Sequence, residues 1–277
     1  MSGSVRQVVK VFLDHPSSIV DNLRLSGGSV TTIGFIYPDH AAEDDYPLAE
    51  QLLGGMAADE GDIRLAVEHI YGTDKHAVAE LLDLGSESRL ADGAALLKKH
   101  EPDAIIWACT SGSFVYGWDG ARDQADRMAA VAGVPASSTS FAFVHAARAL
   151  GVKRVAVAAS YPDDIARLFV DFLKAGGVEV VSMASADIIT AAEVGAMSPE
   201  AVVELAVRHD HADADAVLVP DTAMRTLAEI NAIEAALKKP VLTANQVTVW
   251  EGLRLTGQHR LVRSLGALFR QLPDGNA

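Results

Sequence analysis

The sequence predicts an α/β fold of two pseudosymmetric, doubly wound lobes with parallel sheets and an active site in the cleft between them. Two observations lead there. Short apolar runs alternate with stretches of helical periodicity, the pattern of strands covered by helices on both faces. The chain also repeats itself. Ile33-Gly34-Phe35-Ile36-Tyr37-Pro38-Asp39 is echoed by Val155-Ala156-Val157-Ala158-Ala159-Ser160-Tyr161-Pro162-Asp163, and Asp103–Thr110 by Asp215–Thr222. Pro135, with its Ser/Thr run and the helix-like stretch to Gly151, is echoed by Pro240–Asn245 running on to Gly257.

Strands are expected at 31–37, 62–70, 103–108, 154–159, 178–183, 215–219 and 240–243, where Val, Ile and Ala run without interruption. Between them Ser86–His100, Trp118–Ala132, Asp164–Ala175, Pro199–His209 and Ala223–Lys238 carry apolar residues three and four apart, as helices packed on a sheet do. The repeat places residues 31–143 plus 245–277 in a first lobe and 144–244 in a second, with the last segment crossing back from about Asn245. No low-complexity linker separates the halves, so a broad shared interface is expected. Residues 1–30 read as a loosely ordered extension, punctuated by Pro16-Ser17-Ser18 and Ser26-Gly27-Gly28.

With 277 residues, 49% of them hydrophobic, the chain can bury the core of one large or two small α/β domains. Its net charge of −14 repels phosphate backbones and argues against a nucleic-acid partner. A small anion can still be held by local amide donors. The single cysteine forms no internal disulfide, and Arg6, Lys10, Asp14 and Asp21 interrupt the first apolar stretch, so no secretory leader is read there. No apolar run has the length of a membrane span. These features predict a cytoplasmic protein with no membrane partner.

Ligands of doubly wound sheets bind beyond the carboxyl ends of the strands. Pro38, Cys109, Tyr161 and Asp221 all stand just past such ends. Cys109-Thr110-Ser111-Gly112-Ser113 is a strand-to-helix turn of small residues, whose amides can converge on a carboxylate or enediolate and whose positive end lowers the pKa of a thiol. Cys109 is thus a candidate nucleophile or proton carrier, against the plainer reading of a small buried apolar residue. Asp221-Thr222 holds the mirrored position. There a carboxylate serves as a general acid or base with a raised pKa, or as the N-cap of Ala223–Lys238; both readings stand. Tyr161-Pro162-Asp163-Asp164 reads as a helix start, with the Tyr161 hydroxyl at the cleft to donate to an oxyanion.

Other motifs carry less. His209 and His211 lie in a polar loop without a spaced ligand set, so no metal is expected. Glu43-Asp44-Asp45 reads as solvated acids, and His145 as a packed residue of an apolar helix. No Walker loop, Gly-x-Gly-x-x-Gly or Gly-x-Ser-x-Gly is present, which leaves nucleotide cofactors without support.

Taken together, Cys109-Thr110-Ser111-Gly112-Ser113-Phe114, Gly133-Val134-Pro135 with Thr139, Arg148–Val155 and Ala159-Ser160-Tyr161 resemble arylmalonate decarboxylase and maleate cis-trans isomerase, of the aspartate/glutamate racemase superfamily. Gly34 to Pro38 and Asn245-Gln246 with Trp250 fit the same pattern. The resemblance spans roughly residues 30 to 258. It implies an enzyme without cofactor that acts beside the carboxylate of a small dicarboxylic acid, through an enediolate or a thiol adduct, and that forms homo-oligomers. With the strand-end reading, it makes Cys109 and Tyr161 the expected catalytic residues, assisted by Asp221 from the mirrored position, and Pro38, Thr110, Ser111, Gly112, Thr222 and Asn245 the expected substrate-binding residues. Racemases and maleate isomerases of this kind use a cysteine at both mirrored positions, and the decarboxylase keeps only the second. This chain keeps the first, with Asp221 at the second, and has Asp39-His40 where isomerases carry an asparagine. Two competing expectations follow: an amino-acid or hydantoin racemase working with a Cys/Asp pair, and a dicarboxylate-binding regulatory protein without turnover.

Overall fold

The computed structural model describes residues 30–39, 41–54 and 62–271; the extension read at 1–30 lies outside these residues apart from Val30. The first half runs β1 (Thr31–Pro38), α1 (Asp45–Leu53), β2 (Ile63–Ile70), α2 (Val78–Leu84), α3 (Glu87–Leu97), β3 (Ala104–Trp107), α4 (Ser111–Phe114), α5 (Gly117–Ala132), β4 (Ala136–Ser138) and α6 (Thr139–Ala149). The second runs β5 (Arg154–Ala159), α7 (Asp163–Ala175), β6 (Glu179–Ser185), α8 (Ala191–Gly195), α9 (Pro199–Arg208), β7 (Ala216–Val219), α10 (Ile230–Leu237), β8 (Val241–Thr243) and α11 (Ala244–Leu255).

Both sheets are four-stranded and parallel, ordered β2-β1-β3-β4 and β6-β5-β7-β8. The two orders are the same once β5 is matched to β1, so the internal echoes of the sequence are structural equivalents. In each sheet the central strands are buried on both faces, which is why β1, β3, β5 and β7 are nearly continuous Val, Ile, Ala and aromatic runs. Helix α11 lies against α6, β1 and β3. Gly252 permits that approach, because a Cβ there would stand 2.4 Å from Ile33 Cγ2. The halves also meet through aromatic rings: Phe114 of α4 is 5.4 Å from Phe169 of α7, and Trp118 of α5 is 5.0 Å from Phe172. Edge and tilted contacts of this kind add to the burial of the rings themselves.

Two expectations need correction. Strand β4 lies outside the strands expected from the sequence, because Ala136-Ser137-Ser138 is short and polar. It forms because β3 supplies its backbone partners, while the Ser137 and Ser138 hydroxyls are satisfied by Glu251 and Ser113. The helix predicted over Ala223–Lys238 begins only at Ile230; the preceding residues form turns. Asp221 therefore caps no helix.

Candidate active site

Strand β3 delivers Cys109 to its carboxyl end, where Ala108 still bonds to Ile36 O at 2.9 Å. The chain then turns tightly into α4. Thr110 O accepts from the amides of Ser113 and Phe114 and from Ser140 Oγ, and Gln124 Nε2 ties Gly112 O to Gly85 O. This leaves the Gly112 amide to donate to Cys109 Sγ at 3.3 Å, with Ser111 Oγ 3.7 Å from the same sulfur. Gly112 is required for that packing. A Cβ there would lie 2.8 Å from Trp107 Cζ2 and 3.2 Å from Cys109 Sγ. The turn read as an anion nest thus directs its Gly112 donor at the thiol itself. Its effect on the thiol differs from expectation. Burial pushes Cys109 up to about 11, and the donors from Gly112 and Ser111 only partly offset this, while the Asp221 charge adds to the rise.

Asp221 follows β7 in the mirrored place. Its Oδ1 accepts from the Ala223 amide at 2.9 Å, and its Oδ2 accepts from Ser160 Oγ at the end of β5. The carboxylate thus closes a short turn and is fixed by a side chain from the neighbouring strand. Tyr161 is buried, and its hydroxyl donates to Pro220 O at 2.5 Å instead of standing free at the cleft. Asn245 is likewise buried away from the cleft. Its Nδ2 donates to Asp45 Oδ2, Thr222 O and Met224 O at 2.9, 3.2 and 3.4 Å, so it holds the 222–224 turn from behind. Tyr37, at the end of β1, donates to Thr222 O at 2.8 Å from another side.

Of the expected site residues, Pro38, Cys109, Ser111, Asp221 and Thr222 line one narrow cavity of about 40 Å³. Thr110 and Gly112 sit behind it, the Thr110 hydroxyl buried without a hydrogen-bond partner. The most consequential wall residue outside the expected set is His76. His76 reaches the cavity from the segment after β2 and is 6% exposed. Its Nε2 lies 3.9 Å from Asp221 Oδ2, its Nδ1 is 3.1 Å from Ile188 O, and its ring stands edge-on to Tyr161 with centroids 5.0 Å apart. Extending the strand-end rule to β2 was the one signal that could have found it.

The weaker motifs resolve individually. Asp44 pairs with Arg225 at 2.9 Å, whereas Asp45 is buried, and burial pushes its carboxyl up to about 6 against the donors from Asn245 and Thr226. His145 pairs with Glu251 at 2.9 Å, bridging α6 and α11. Among the described residues no group of three or more His, Cys, Asp or Glu could hold a metal ion, and no helix is long and apolar enough to cross a membrane.

The family model for arylmalonate decarboxylase matches residues 78–269, more than half of the chain. The chain belongs to the arylmalonate decarboxylase family. It is 30% identical over 185 residues to the arylmalonate decarboxylase of Bordetella bronchiseptica, covering 65% of this chain and 76% of that one. It is 29% identical over 136 residues to the maleate isomerase of Geobacillus stearothermophilus, covering 49% of this chain and about half, 54%, of the isomerase. The crystal structure of the maleate isomerase Iso from Pseudomonas putida S16 superimposes with a TM-score of 0.79 at 25% identity, over 87% of this chain and 99% of the other. Family membership and these relatives make the chain an enzyme of the isomerase and lyase kind.

Proposed function

We propose that the enzyme isomerises or decarboxylates a small dicarboxylic acid, with the reacting carbon between Cys109 and Asp221. The observation that carries this reading is the pairing at the cavity: a thiol and a carboxylate line the same cavity from equivalent strand ends of the two sheets. A thiol pushed to about 11 keeps its proton at neutral pH and can give it to a carbanion-like carbon. When the proton leaves, the Gly112 amide is already aimed at the sulfur. Ser111, which lines the cavity, is the donor best placed to hold a substrate carboxylate or enediolate, with the Thr110 hydroxyl behind it. A preorganised donor of this kind contributes about 3–4 kcal/mol to a transition state. Tyr161 and Asn245 act by position, holding the Pro220 and Thr222 carbonyls around Asp221. A cytoplasmic location belongs to the same proposal, since reducing surroundings keep a working thiol free, and so does a homo-oligomer, which the family resemblance implies.

Proton NMR in D2O tests the reading, with wild type and Cys109→Ser against maleate, substituted malonates and acidic amino acids. Turnover or deuterium uptake on a dicarboxylate, abolished in the variant, is the expected result. Turnover that survives Cys109→Ser refutes it, and exchange confined to the amino acids replaces it with a racemase.

A further inference from the structure

We propose that His76 is the proton-transfer partner of Cys109, held in place by Asp221 and the Ile188 carbonyl. The inference rests on Cys109 being the working thiol, and it concerns a residue just outside the stretch 78–269 that matches the family. A carbonyl oxygen only accepts, so the 3.1 Å contact with Ile188 O assigns the proton of neutral His76 to Nδ1. Nε2 then carries the lone pair, on the side facing Asp221 at 3.9 Å. That separation is too long for a direct hydrogen bond and leaves Nε2 available to a third group. The ring is fixed in this pose. The His76 amide donates to Ile189 O at 2.8 Å, Lys75 bridges to Thr190, and Tyr161 packs edge-on.

The groups around it are acidic. Asp221 faces Nε2, and Asp39, Asp74, Tyr37 and Cys109 line the same cavity, whereas no lysine or arginine among the described residues does. Lys75, the nearest cation along the chain, reaches toward Glu80 at 3.9 Å. His76 is therefore the one described wall residue able both to accept a proton and to carry positive charge beside an anionic substrate.

The step balances within the cavity. Cys109 Sγ–H gives its proton to His76 Nε2, leaving a thiolate that accepts from the Gly112 amide and an imidazolium paired with Asp221. On the return, the imidazolium proton goes back to sulfur. The forward step arms a thiolate to add to a double bond. Once His76 has taken a proton from solvent, the reverse step reloads a thiol that has spent its own on carbon. Ser160 and the Ala223 amide, which hold Asp221, keep the counter-charge from moving.

The test uses the fact that Cys109 is the chain's one cysteine, so alkylation by iodoacetamide reports on it alone. His76→Asn keeps a donor where Nδ1 bonds Ile188 O and removes Nε2; His76→Gln does the opposite and also removes the base. Thermal unfolding establishes that each is folded. Wild type is expected to alkylate at pH 7 at least about tenfold faster than either variant, His76 taking the proton as the sulfur attacks. On any compound the enzyme turns over, His76→Asn is expected to lower kcat about 100-fold. Wild-type alkylation rates in His76→Asn overturn the proposal. Alkylation needs no substrate, so a silent NMR panel beside a preserved alkylation difference removes the proposed reaction and keeps His76. Cys109-dependent turnover unchanged in His76→Asn does the reverse.

Discussion

Glu251 is fully buried in α11, accepting from Ser137 Oγ at 2.7 Å, His145 Nδ1 at 2.9 Å and Arg254 Nε and Nη2 at 2.7 and 2.8 Å. Burial alone pushes a carboxyl up, yet the Arg254 and His145 bonds and charges outweigh it and hold Glu251 at about 2. Against its ordinary value of 4.5, that is about 3 kcal/mol of folding stability at neutral pH. The folded pKa is depressed, so this contribution is fully present above pH 4.5 and is lost as pH falls toward 2. Glu251→Gln imitates the protonated acid. The variant should be less stable than wild type by about 3 kcal/mol at pH 7, about 2 at pH 3.5 and about 1 at pH 2.5. Urea denaturation of both proteins across that range isolates Glu251, since the other carboxylates titrate alike in each. A gap that stays constant from pH 7 to 2.5 would refute the reasoning.

Three further outcomes follow from the site. Gly112→Ala forces a methyl against Trp107 and Cys109; it should cost about 1–3 kcal/mol in urea denaturation and slow alkylation of the thiol. Asn245→Ala removes the Nδ2 amide that donates to Asp45 Oδ2, Thr222 O and Met224 O. It should cost about 1–3 kcal/mol and carry the Asp45 titration, followed by NMR, above its present value of about 6. If a prochiral substituted malonate is decarboxylated, protonation from Cys109 should give the enantiomer opposite to that formed by relatives whose thiol occupies the Asp221 position. Chiral chromatography showing the same enantiomer would exclude Cys109 as the donor.

Much of the site was legible because it obeys local rules. A strand end is marked by the close of an apolar run, so Pro38, Cys109 and Asp221 were placed on the rim from sequence, and all three line the cavity. His76 was not, because five residues, 71–75, separate it from β2 and distant contacts such as that with Ile188, 112 residues away, turn it inward. Asn245 illustrates the converse. Its position after β8 matches a binding residue, but partners as distant as Asp45 absorb its donors.

By itself the sequence determined the two parallel sheets, their repetition and the opposition of a thiol to a carboxylate, since apolar periodicity and strand-end position are properties of neighbouring residues. The tertiary structure alone decided how those groups titrate and which are free to act. Helix position suggested a lowered Cys109 pKa, but desolvation depends on every segment packed around the sulfur, and burial pushes the thiol up to about 11. The Tyr161 hydroxyl likewise became a structural donor once folding brought the Pro220 carbonyl within 2.5 Å.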